Sequence, residues 1–143
     1  MTDKSLGEPL YLGKTCIANA KNVQRNDINK EDINAIAEII RRNGATILSV
    51  DSHFFEPHGL SLTYILSESH VAIHTWPEYA CLTIDAFTCG HIANPTNIVT
   101  EIIDYVGGEM ETMDELIRNA PAGVKVLEDT TVGTPAVKET TAQ

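Results

Sequence analysis

At 143 residues the chain is sized for one domain with a core of its own, and a hydrophobic fraction of 43% beside 21% charged residues is that of a soluble globular protein. Twenty acidic against ten basic side chains leave a net charge of −10. That balance argues against nucleic acid as a partner, because such binding begins with Lys and Arg neutralising phosphates. The apolar runs are strand-sized, and Met1–Ser5 has neither a basic segment nor an apolar one after it, so a cytoplasmic protein without membrane span or secretory leader is expected.

Residues 1–9 mix Gly and Pro with polar side chains and read as a loose arm. Leu10 to Ala20 suits a strand, and the polar stretch Asn22 to Asn29 offers Asp27 or Asn29 as a helix cap. Lys30 to Asn43 is the clearest helix. Ile33, Ile36, Ala37, Ile39 and Ile40 recur at three- and four-residue spacing, Glu31, Asp32 and Glu38 precede Arg41 and Arg42, and Gly44 stands where a C-terminal glycine belongs.

Ala45–Phe55, Leu60–Leu66, His70–Trp76 and Cys81–Phe87 read as four strands, interrupted at Pro57-His58-Gly59 and at Pro77. Their short connections imply an antiparallel meander. Asn94-Pro95-Thr96-Asn97 leads into a second helix, Asn97 to Tyr105, closed by Gly107-Gly108. Glu109 to Arg118 fits a closing edge strand, or a helix by the spacing of Met110, Met113, Leu116 and Ile117. From Ala120 the composition is that of a flexible tail, so the domain is expected over residues 1–119 and the tail over 120–143.

This order predicts an α+β fold, a two-layer sandwich in which an antiparallel sheet carries both helices on one face. The other face of such a sheet is left open, and burying it against a second copy predicts a homodimer.

Three cysteines, Cys16, Cys81 and Cys89, form no C-x-x-C pair, so neither a disulfide framework nor structural zinc is expected and buried thiols are the default. His70 and His74 would share a face on a helix, but Val71, Ile73, Thr75 and Trp76 favour a strand. There, four residues span about 13 Å, too far for one metal ion. Ser69 lies between an acid and a histidine without a G-x-S-x-G elbow, so a hydrolase serine is not indicated.

The whole arrangement is more specific than its parts. Leu66-Ser67-Glu68-Ser69-His70, then Ile73-His74-Thr75-Trp76-Pro77-Glu78 and Ile84-Asp85, then Phe87-Thr88-Cys89-Gly90, closely resembles the prokaryotic, pyruvoyl-dependent S-adenosylmethionine decarboxylase proenzymes. The likeness is near-continuous from Gly44 to Gly90, including Gly44-Ala45-Thr46-Ile47 and Phe55, Pro57, Gly59 and Ser61. It weakens before Asn43, where Leu12-Gly13-Lys14 replaces the family's Leu-Gly-Arg, and most after Tyr105.

The resemblance implies self-cleavage between Glu68 and Ser69, with Ser69 becoming a pyruvoyl cofactor that forms a Schiff base with the substrate amine. It implies His74 as the proton acceptor in processing, assisted by Ser61, and Cys89 as the proton donor after CO₂ departs. It implies S-adenosylmethionine as substrate, with adenine stacked on Phe55 and flanked by His74, and the ribose held by Glu78. The product would be the aminopropyl donor for spermidine synthesis, and the cleaved chains 1–68 and 69–143 would stay together. The divergent N-terminal third leaves open a pyruvoyl-dependent arginine or ornithine decarboxylase, or a non-processing regulatory paralogue. On a flat strand Ser69 and His74, five apart, face opposite sides, so a bend or freedom after cleavage is needed to bring them together.

Overall fold

The computed structural model describes residues 10–123. The expected arm at residues 1–9 and most of the expected tail beyond Ala120 lie outside them. Six strands and two helices follow in the order β1 (Tyr11–Lys21), α1 (Lys30–Arg42), β2 (Ile47–Phe54), β3 (Leu60–Leu66), β4 (Ser69–Trp76), β5 (Cys81–Cys89), α2 (Pro95–Tyr105) and β6 (Glu109–Asn119). The sheet order is β2-β3-β4-β5-β1-β6, with every neighbouring pair antiparallel. This is the expected two-layer α+β sandwich. Among the described residues no helix is long and apolar enough to cross a membrane.

Asn29, rather than Asp27, caps α1: its side chain accepts from the Asp32 N–H at 3.0 Å, and the Asp32 carboxylate accepts from the Asn29 N–H at 3.0 Å. That reciprocal box satisfies two orphan donors of the first turn. The same buried Asp32 accepts from the Tyr105 hydroxyl at 2.7 Å, tying the start of α1 to the end of α2. α2 starts two residues earlier than its apolar pattern suggests, because Asn94 caps it and Pro95 takes the first position, where its missing N–H costs nothing.

The region Glu109–Asn119 is a strand. Its apolar residues have helical spacing, yet all eleven residues are exposed and the segment runs beside β1 from Lys21↔Glu109 to Tyr11↔Asn119. Without β6 the outer ladder of β1 would lack partners, and backbone pairing outweighs the side-chain period here.

Alternation sorts the sheet into two faces. Leu62, Tyr64, Val71, Ile73, Leu82 and Ile84 point to the helices and are fully or almost fully buried against Ile36, Ile40, Ile98 and Ile102. The Tyr64 hydroxyl donates to the Ile33 carbonyl at 2.5 Å, so its polar tip is satisfied inside this layer, and burial pushes its phenol above the ordinary range. The opposite face carries Ser61, Thr63, His70, His74, Thr83, Asp85 and Phe87, and among the described residues no layer lies over it.

Ile36 sits at the middle of the buried stripe of α1 with no exposed surface. Ile36→Ala is expected to cost about 2–5 kcal/mol, read as a lower urea midpoint at unchanged slope.

Candidate active site

Strand β4 has chemistry at both ends. At its C-terminal end the β3–β4 register places Ser61 opposite His74, and the Ser61 Oγ lies 2.9 Å from His74 Nδ1. The two share a cavity of about 320 Å³ with Phe55, His58, Gly59, Leu60, Thr75, Trp76 and Glu78. Phe55 is not core, as its apolar character alone would suggest: it is 49% exposed, at the rim of this cavity, with His53 edge-on against it at 4.5 Å between centroids. Glu78 stands on the single 3₁₀ turn Pro77–Tyr79 that follows β4, and its Oε2 lies 3.1 Å from His58 Nε2.

At the N-terminal end, Ser69 opens the strand, opposite Leu66 on β3 and Thr88 on β5. Its φ of +142° is a conformation that side-chain-bearing residues rarely adopt, costing on the order of 1–3 kcal/mol. The preceding peptide is held from two sides. The Glu68 carbonyl oxygen accepts from the Cys89 N–H at 2.7 Å, and the Glu68 side chain accepts from the Thr46 N–H at 2.9 Å. A further bond, Ser67 N–H to the Thr46 carbonyl at 3.0 Å, secures the turn.

Burial by itself would raise the Glu68 carboxyl, but the Thr46 and Ser67 hydrogen bonds outweigh it and hold the group below the ordinary carboxylate range. Cys89 is exposed, Cys81 half-buried and Cys16 fully buried, so the expectation of buried thiols holds only for Cys16.

Thr46, Gly13 and His58 were not legible as site residues. Gly13 faces Cys89 across β1 and β5, and a Cβ there would lie 2.4 Å from the Thr88 carbonyl oxygen and 2.9 Å from the Cys89 Cα. Only glycine lets β1 pass so close to the Cys89 end, and a lone glycine inside a strand was the available signal. Thr46 acts through its backbone, which carries no residue-type signal.

Ser69, Glu68 and Cys89 therefore come together, and so do Ser61, His74, Phe55 and Glu78, but the two groups stand apart. Five strand residues separate Ser69 from His74, about 16 Å. The unusual backbone at Ser69 turns that residue without shortening the strand. His70, four residues from His74, sits beside Phe87 at 6.2 Å between ring centroids.

Fold and site define a class: an α+β sandwich whose middle strand opens on a serine at a strained, doubly held peptide bond and ends on a Ser–His pair beside an aromatic–carboxylate cavity. The family model for S-adenosylmethionine decarboxylase matches residues 14–119, and the chain belongs to that family. The match includes β6, beyond the stretch whose motifs were recognisable. An S-adenosylmethionine decarboxylase proenzyme from Synechococcus sp. (strain WH7803) is 33% identical over 126 residues, 87% of this chain and 98% of that protein. One from Acidithiobacillus ferrooxidans is 36% identical over 106 residues, 72% of this chain and 80% of that protein. The crystal structure of the adenosylmethionine decarboxylase from Aquifex aeolicus superposes with a TM-score of 0.65 at 28% identity, covering 85% of this chain and 98% of that one.

A carboxyl lowered in the folded state stabilises the fold above its unfolded pKa and loses that contribution as pH falls through the folded value. For Glu68, whose reference value is 4.5, the loss falls below about pH 4.5. In an uncleaved Ser69→Ala background, Glu68→Gln is expected to flatten the decline of melting temperature in that acid range.

Proposed function

We propose that this protein is a self-processing decarboxylase of S-adenosylmethionine, a carboxy-lyase yielding the aminopropyl donor for spermidine synthesis, and that two copies build each site. The observation that carries the proposal is the Glu68–Ser69 peptide, strained at Ser69 and with its carbonyl oxygen on the Cys89 N–H.

In the processing step the Ser69 Oγ bonds to the Glu68 carbonyl carbon as the C–N bond breaks, and the nitrogen gains the proton that leaves the hydroxyl. The negative charge that develops on the carbonyl oxygen falls where the Cys89 N–H already donates, which is the placement electrostatic catalysis requires. Strain at Ser69 raises the starting state and is released when the bond opens. His74, with Ser61 on its Nδ1, accepts the proton that Ser69 gives up as the Glu68 carboxylate is expelled. Water then replaces ammonia on the resulting dehydroalanine, leaving a pyruvoyl group at the head of chain 69–143.

The residues present fit that group: a serine at the strained bond, a backbone N–H on the Glu68 carbonyl oxygen and, on the residue that supplies that N–H, an exposed cysteine. A pyruvoyl ketone at residue 69 supplies the electron sink that lets the substrate lose CO₂. Cys89 Sγ holds the proton returned to the substrate carbon, a role that suits a thiol with a reference pKa of about 8.5. Phe55 offers a face for adenine with His74 on its other side, and the Glu78 carboxylate accepts from the ribose hydroxyls. An aromatic surface and a single carboxylate in one cavity suit a nucleoside better than arginine or ornithine.

The separation of about 16 Å along β4 supports a homodimer of cleaved pairs. Two copies packed by their open sheet faces around a two-fold axis bring the His74 end of one against the Ser69 end of the other. The arrangement also covers exposed Ile17, Ile65, Trp76 and Leu116.

Intact-mass measurement of the purified protein is expected to give two chains, 1–68 and 69–143, and one uncleaved chain for Ser69→Ala. A wild-type protein that stays whole removes the cofactor and with it the proposal. Ser69→Ala and His74→Ala, each uncleaved alone, are expected on co-expression to yield cleavage of the His74→Ala chain. Absence of that cleavage would place each site within one copy.

A further inference from the structure

The cavity at the end of β4 contains a second bonded pair that the decarboxylation chemistry leaves without a role: His58 Nε2 and Glu78 Oε2, 3.1 Å apart. Among the described residues Glu78 is the only carboxylate lining the cavity. Its side chain is 43% exposed on a three-residue turn, and among the described residues His58 is its one hydrogen-bond partner. A glutamate in that setting samples several rotamers, and fixing it on ligand binding costs affinity. His58 is carried on a backbone that is itself closed by a hydrogen bond. It belongs to the short loop closed by the Phe55 N–H to Gly59 carbonyl bond at 2.9 Å, and Gly59 has a φ of +112° that favours glycine.

An ionised carboxylate only accepts hydrogen bonds, so the ring must donate and Nε2 carries the proton, whether the imidazole is neutral or charged. That donation occupies one position on Oε2 and leaves Oε1 without a hydrogen-bond partner among the described residues. A cis-diol needs such a carboxylate: two neighbouring hydroxyls donate best to oxygens held at a fixed orientation.

We infer that His58 is a positioning residue for nucleoside recognition, holding Glu78 in the orientation that accepts the ribose diol. The inference rests on the preceding reading of this cavity as an adenosyl site. An exposed ion pair with no such task contributes little to stability and nothing to ligand preference, which is the contrast to measure.

Two variants separate the donor from the ring's bulk: His58→Phe fills the space without donating, and His58→Gln donates through its amide. Cleavage between Glu68 and Ser69, read by intact mass, reports that each variant folds. In the cleaved enzyme, His58→Phe is expected to raise KM for S-adenosylmethionine about tenfold with kcat within about twofold, the pattern of lost uniform binding, and His58→Gln to restore most of the KM.

By calorimetry the wild type is expected to bind adenosine more tightly than 2′,3′-dideoxyadenosine, and His58→Phe to lose most of that preference. A His58→Phe enzyme with unchanged KM and unchanged diol preference overturns the role of His58 while leaving the adenosyl site standing. A wild type that binds both nucleosides equally, or neither, overturns the reading of the cavity and this inference with it.

Discussion

The antiparallel register of β3, β4 and β5 is the constraint on which everything else rests. Leu66↔Ser69 and Ser61↔His74 on one side, with Ser69↔Thr88 on the other, decide which side chains meet. Strand side chains alternate, so a slip of one residue would send Val71 and Ile73 to the open face and His74 into the helical layer. Burial of the isoleucine and leucine rows under α1 and α2 therefore positions the chemistry as well as stabilising the fold. The helices contribute no side chain to either end of β4 that carries the site; they hold the register that presents them.

Within that frame the Glu68–Ser69 bond is held from outside the β3–β4 ladder. Its carbonyl is paired not in the β3–β4 ladder but with the Cys89 N–H, and its side chain is tied to Thr46 at the entry to β2. The same short turn reverses the chain, stores backbone strain and presents an electrophilic carbonyl. Gly13 permits this crowding, because any larger residue in β1 would collide with Thr88 and Cys89. The close approach of β1 thus belongs to the site, although β1 supplies none of the reacting groups.

The far end of β4 opens on a cavity lined by polar and aromatic side chains. Ser61–His74 and His58–Glu78 are two hydrogen-bonded pairs around one cavity, with Phe55 at its rim. Ser69 and His74 stand at opposite ends of one paired central strand, which does not fold back on itself to bring them together. The open polar face with scattered apolar side chains and the separation of the two ends of β4 both accord with the homodimer proposed above.

Much of this was legible in the residues. Periodicity located both helices and all four meander strands to within about two residues, because burial on one face imposes it. The motif from Ser67 to Glu78 and the Cys89-Gly90 end pointed to the family whose model the chain matches, and the parity of Ser69 and His74 already exposed a conflict on one flat strand. Three-dimensional structure alone decided the rest. Glu109–Asn119 became a strand because β1 needed a partner, an influence from a distant part of the chain that no local pattern carries. The grip of Thr46 and Cys89 on Glu68 is made by backbone atoms, which every residue possesses and no sequence distinguishes. The distance between Ser69 and His74 became a matter of length rather than facing only once the strand proved continuous. Side-chain identity determined what chemistry the chain can carry; long-range pairing decided where along the sheet each part of it stands.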